Sequence, residues 1–209
     1  MRRKINTNVY YFKRKSNTVY DWYNQETVTQ INQEGGSVPT AINLAFRLQD
    51  VPGYTDFTNV YDSYRIRAVK INLLPIGNVS SSNTSGSPTG PAGNYAVRCF
   101  SAFDPNQDGN GIEGTGSVAE IQEYQNCKWT PYNRIHKRYI KPKVTIPTFP
   151  GSAASYVNLA GKQPWIQCAD GGGTLHYGLA VVVDDSGFPA GSMLYKVECT
   201  YYLQFCRPK

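Results

Sequence analysis

A two-residue repeat restricts this chain more than any other feature. Over residues 41–49, Ile42, Leu44, Phe46 and Leu48 fall on one side, and Asn43, Arg47 and Gln49 on the other. Towards residue 205, Val197, Cys199, Tyr201, Leu203 and Phe205 alternate with Lys196, Glu198, Thr200 and Gln204. Successive side chains of a strand point to opposite faces, so both segments are predicted half-buried strands. Residues 65–74 alternate too, but the phase slips at Ala68-Val69, which predicts a bulge. Further strands are predicted over 95–103 and 175–183, and a less regular one over 19–31.

Helix signals are few. Ser117 and Glu120 fit a capping box opening a short helix towards Cys127, and a turn is expected around 54–62. Neither is long enough for a crossover between parallel strands, which argues against parallel-sheet folds. The loops over 77–94, 104–116 and 145–163 are long and rich in Gly, Ser, Pro or Asp. Loops of that length usually carry function. With 209 residues, 16 of them Tyr, the chain suits a single β-rich domain. The predicted fold is all-β: a single eight-stranded jelly-roll sandwich of two packed four-stranded sheets, with long loops and one or two short helices.

Charge is unevenly placed. Arg2, Arg3, Lys4, Lys13, Arg14 and Lys15 lie in the first fifteen residues, and no acid precedes Asp21. They account for the whole net charge of +6, because the other 15 basic residues balance 15 acids. Residues 1–16 are therefore expected to form a disordered basic arm that seeks a polyanion, followed by a folded domain over 17–209. Tyr10, Tyr11 and Phe12 separate the two triplets, so phosphate neutralisation and base stacking are both available. The triplets also have the spacing of a bipartite nuclear-import signal.

A second basic stretch holds Lys128, Arg134, Lys137, Arg138, Lys141 and Lys143, with His136, Trp129, Tyr132 and Tyr139 interleaved. It suits either a nucleic-acid surface or a subunit interface, since both enrich Arg and aromatics.

Other chemistry finds little support. Asp104-Pro105-Asn106-Gln107-Asp108-Gly109 matches the first half of a calcium loop, but position 12 is Thr115 rather than Glu. An ordinary turn-rich loop is the expectation there, with Asp104, Asn106 and Asp108 the candidate ligands for an ion. The two histidines, His136 and His176, show no metal-ligand spacing, and His176 opens an apolar strand as a core histidine would. Asp184 and Asp185 are adjacent and so point to opposite faces of a strand. Neither catalysis nor a cofactor is expected. Five cysteines without a CxxC suggest reduced thiols. Neither a leader-like apolar region in the first fifteen residues nor an apolar run of ~18 residues occurs, so membrane insertion is not expected.

Several segments, taken together, resemble the capsid proteins of circovirus-like, Rep-encoding single-stranded DNA viruses. They are Asp50-Val51-Pro52-Gly53-Tyr54-Thr55-Asp56-Phe57-Thr58, Tyr61-Asp62-Ser63-Tyr64-Arg65-Ile66, and Tyr132-Asn133-Arg134-Ile135-His136-Lys137-Arg138-Tyr139-Ile140-Lys141-Pro142. Trp165 and His176-Tyr177-Gly178-Leu179 follow in the same order, and the likeness spans residues 18–205. The resemblance implies a capsid jelly roll in a T=1 icosahedral shell of sixty copies. It also implies a single-stranded DNA genome held by the arm, assembly in the host nucleus, and loops for a host receptor or glycan. The arm is shorter than in many members of that family. Sixty arms would bring on the order of 360 charges against a genome of a few thousand phosphates, so other cations must contribute. The rival expectation is a carbohydrate-binding jelly-roll module that stacks exposed Trp and Tyr on sugar rings.

Overall fold

The computed structural model describes residues 9–21, 41–75, 98–103, 117–131, 133–147, 156–158, 163–170, 172–184 and 194–208. These carry eleven strands in two antiparallel sheets, with two short helices. The first sheet contains β1 (Val9–Asp21), β11 (Leu194–Pro208), β3 (Tyr61–Pro75) and β6 (His136–Ile140) in that order, with β9 (Ile166–Gln167) also on β3. The second runs β5 (Lys128–Pro131), β4 (Arg98–Phe103), β10 (His176–Asp184), β7 (Lys143–Pro147) and β8 (Tyr156–Asn158), with β2 (Ala41–Phe46) also on β10. The sandwich matches the expectation. The sheets hold five and six strands rather than four each, because short strands such as β8 and β9 extend them.

The alternation of the sequence becomes the core. Leu44, Phe46, Leu179, Val181 and Val183 of one sheet meet Ile66, Val69, Ile71, Leu73, Leu203 and Phe205 of the other. Burying a side chain of this size stabilises the fold by about 1.5–3 kcal/mol. The repeat at 41–49 stays a strand only to Phe46, after which Leu48–Asp50 winds into a 3-10 turn and keeps Leu48 buried. The bulge predicted at Ala68-Val69 sits one residue earlier. Tyr202 pairs with Ala68 and Leu203 with Ile66, which leaves Arg67 as the extra residue.

Strand β10 reads Leu179-Ala180-Val181-Val182-Val183 without alternation, and both its faces are buried. Ala180 and Val182 pack with Phe100 and Ala102 against Ile121 of α2 (Ser117–Glu123). That helix covers the outer face of the six-stranded sheet. At its start, β10 bulges between His176 and Leu179, where Gly178 takes φ +146. A Cβ there would stand 2.5 Å from the Phe103 ring.

The expected disordered arm over 1–16 needs correction for its second half. Residues from Val9 onward form β1, paired with β11 along its whole length. The cause is apolar. Phe12 packs edge-on against Phe57 of α1 (Tyr54–Val60) at 4.9 Å and against Phe205 at 5.6 Å. The segment from Val51 to Phe57 thus packs on the core, with both of those side chains buried in it. Of the strand expected over 19–31, residues 19–21 form the end of β1; residues 22–40 lie outside the described residues, as do Arg2, Arg3 and Lys4.

Candidate nucleic-acid interface

Directly paired residues in an antiparallel sheet share a face. On the five-stranded sheet, Lys15 pairs with Thr200, Thr200 with Lys70 and Lys70 with Tyr139, giving one row across four strands. A second row joins Lys13, Tyr202 and Ala68, and a third joins Asn17, Glu198, Asn72 and Lys137. Tyr11, Gln204 and Arg65 form a fourth. This face opens away from the core. Lys13, Lys15, Arg67, Lys70 and Lys137 are all exposed on it. The acid of these rows, Glu198, is held 3.2 Å from Lys196. The face is therefore strongly basic.

Aromatic rings lie among these cations. Tyr139 and Tyr202 meet edge to face with centroids 5.8 Å apart, and the Lys13 ammonium lies 5.8 Å from the Tyr202 centroid. Tyr11 is 69% exposed and Tyr139 60%, so both rings present open faces. Tyr11, Lys13, Arg67, Tyr139, Tyr202 and Gln204 line a groove of about 370 Å³. Alongside it, Arg65 stacks over Trp165 at 4.5 Å and donates from Nε to Gln204 Oε1 at 2.5 Å.

The two basic segments seen in the sequence are divided by the fold. Strand geometry sends Lys13 and Lys15 to the open face and Arg14 to the other, where its guanidinium covers the Phe57 ring at 5.0 Å. The stretch over 128–143 spreads across both sheets: β5 and β7 join one and β6 the other. Lys137 reaches the basic face, and Arg134 and Lys141 are exposed beside β6. Lys143 is half-buried at the start of β7, opposite Tyr177.

Arg138 is committed to the fold. It donates from both terminal nitrogens to the Asn126 carbonyl at 3.1 Å, while the Asn126 side chain bonds the backbone N–H and carbonyl of Phe103. His136 is fully buried between Ser101 Oγ at 2.5 Å and Thr130 Oγ1 at 2.8 Å. Burial first, then the charges of Arg138 and Lys128, pull its pKa down to about 4. His176 is the expected core histidine, with Nδ1 3.0 Å from the Thr174 carbonyl.

Arg67, Lys70 and Tyr202 were not among the residues singled out in the sequence. Arg67 and Lys70 stand apart from any charge cluster, and only strand register and the bulge bring them beside Lys13 and Lys15. Asp104, Asn106 and Asp108 lie outside the described residues. Among the described residues, no three His, Cys, Asp or Glu side chains gather as a metal site, and no helix is long and apolar enough to cross a membrane. All five cysteines are free; Cys99 and Cys168 are buried.

Two packed antiparallel sheets with little helix place the chain in the jelly-roll class of folds. The chain belongs to the Circovirus capsid protein family, whose match covers residues 1–209. Its fold superposes on the crystal structure of the 60-mer BFDV capsid protein with a TM-score of 0.65 at 19% identity, covering 97% of this chain and 96% of that one. The decameric BFDV capsid protein gives a TM-score of 0.58 at 19% identity, covering 95% of this chain and 99% of that one. A search of curated protein sequences finds no match. The protein is thus a structural component of a virion, which replaces the carbohydrate-module reading.

Proposed function

We propose that sixty copies of this chain close into a T=1 shell around a single-stranded DNA genome, with the open face of the five-stranded sheet and residues 2–4 acting on the DNA. The observation that carries the genome half of this reading is the cross-strand cluster Lys13, Lys15, Arg67 and Lys70, which no unpaired acid of these rows opposes. Fixed cations on a rigid sheet neutralise phosphates without reading sequence. Arg67 and Lys70 add to the charge of the arm, which alone falls well short of a genome. The shell half is supported by family membership and by the 60-mer formed by the BFDV protein. Closed symmetry lets many weak contacts act together.

The remaining parts of the reading follow from the sequence. The two basic triplets support assembly in the host nucleus. The loops predicted over 77–94 and 104–116 are the surfaces for a host receptor or glycan, together with residues 148–155 of the stretch 145–163, which β7 and β8 enter as strands. Expression of the full chain, followed by electron microscopy and nuclease digestion, tests the proposal. Uniform closed particles enclosing nuclease-resistant single-stranded DNA are expected. Monomers under every salt and pH condition, or particles that never retain nucleic acid, would overturn it.

A further inference from the structure

We infer that the open face of the five-stranded sheet is a groove selective for single-stranded DNA. In it, Tyr11, Tyr139 and Tyr202 stack on unpaired bases while Lys13, Lys15, Arg67 and Lys70 hold the phosphates. The inference rests on the genome-packaging reading and adds a reason for strandedness. Charge alone supplies none, because a duplex carries the denser phosphate charge and a purely electrostatic face would favour it.

The rings change that balance. A base reaches an aromatic side chain with its π-face only when it has left its own stack, so a tyrosine platform rewards single strands. The platform is already built. Tyr139 is fixed edge-on by Tyr202, yet remains 60% exposed. Lys13 sits over the Tyr202 ring, which sets a phosphate-binding cation one strand from a stacking surface. The groove of about 370 Å³ lies within the roughly 300–1,000 Å³ usual for ligand clefts. The bulge at Arg67 adds a second cation, beside Lys13, to its wall. No base-edge recognition is required, so the groove accepts any sequence, as a packaging protein needs.

The test uses the full chain as dissociated subunits and fluorescence anisotropy. The probes are a thymidine oligonucleotide, its duplex, and an abasic deoxyribose-phosphate strand of equal length. The thymidine strand is expected to bind about tenfold or more tightly than the abasic strand. Combined Tyr139→Ala and Tyr202→Ala substitution is expected to erase that preference, whereas Tyr139→Phe keeps it, because the ring remains. Equal affinity of the native protein for the thymidine and abasic strands would overturn the inference, whatever the alanine variants do to folding. So would alanine variants that lose assembly but keep their DNA preference, which would assign the face to a second copy of the chain. Failure to bind any of the three probes, together with empty particles, would instead overturn the packaging reading on which the inference rests.

Discussion

Ser101 and His136 join the two sheets of the sandwich: the Ser101 hydroxyl of β4 lies 2.5 Å from His136 Nε2 of β6, at a fully buried position. Thr130 of β5 takes the other ring nitrogen at 2.8 Å. A neutral imidazole satisfies both hydroxyls. An imidazolium would stand beside Lys128 and Arg138 in a site from which water is excluded.

The first prediction concerns pH. His136 and His176 both have folded pKa values lowered from 6.5 to about 4, chiefly by burial. Their unfolded forms take up protons first as pH falls. The contribution to stability is therefore complete above about 6.5 and declines as pH falls towards 4. The loss amounts to about 3 kcal/mol per histidine. Denaturant melts from pH 7.5 to 4 should show this slope, and His136→Gln should reduce it by roughly half. An unchanged slope in that variant would remove His136 from the account.

Gly178→Ala should destabilise the protein by about 2–4 kcal/mol, from a positive φ and from a methyl group driven into the Phe103 ring. Thermal unfolding measures the loss. Adding Phe103→Leu is expected to return part of it by relieving the clash, leaving the cost of the backbone conformation.

Truncation separates charge from structure at the start of the chain. Removing residues 2–8 should lower nucleic-acid affinity and leave the melting temperature within a few degrees. Removing residues 2–16 should lower the melting temperature sharply, because Phe12 leaves the cluster it forms with Phe57 and Phe205. Equal melting temperatures for the two truncations would contradict the place given to β1.

Two cations of equal charge should behave differently. Lys70→Ala should weaken single-strand binding and reduce the salt slope by about 0.7, the share of one phosphate contact. Arg138→Ala should leave the salt slope nearly intact but cost about 1–3 kcal/mol in stability, because the Asn126 carbonyl loses both its donors. Binding isotherms at several salt concentrations, run beside melts, distinguish the two.

Much of the fold was legible because alternation is local. Leu44, Phe46 and Leu48 are buried as their spacing predicts, and the phase slip at Ala68-Val69 marks a real bulge one residue away. The site was less legible because it is made by register. Lys15, Lys70 and Tyr139 come from three separate segments, and nothing within any one of them says that they share a row. The arm misled for a related reason. Counting charge over residues 1–16 set it apart from the body, whereas Val9-Tyr10-Tyr11-Phe12 already had the β-prone, apolar character of a strand. Arg138 looked like its neighbours in a basic run, and only its bonds to Asn126 show that it holds the turn after α2 in place.

The central claim, a closed shell of sixty copies around DNA, is tested most directly by the mass of nuclease-treated particles. Sixty copies of the 23.3 kDa chain weigh about 1.4 MDa, and the account predicts one uniform species at that protein mass, with additional mass that absorbs as nucleic acid. A species of another fixed copy number, or a sixty-copy particle with no retained DNA under any packaging condition, would contradict it.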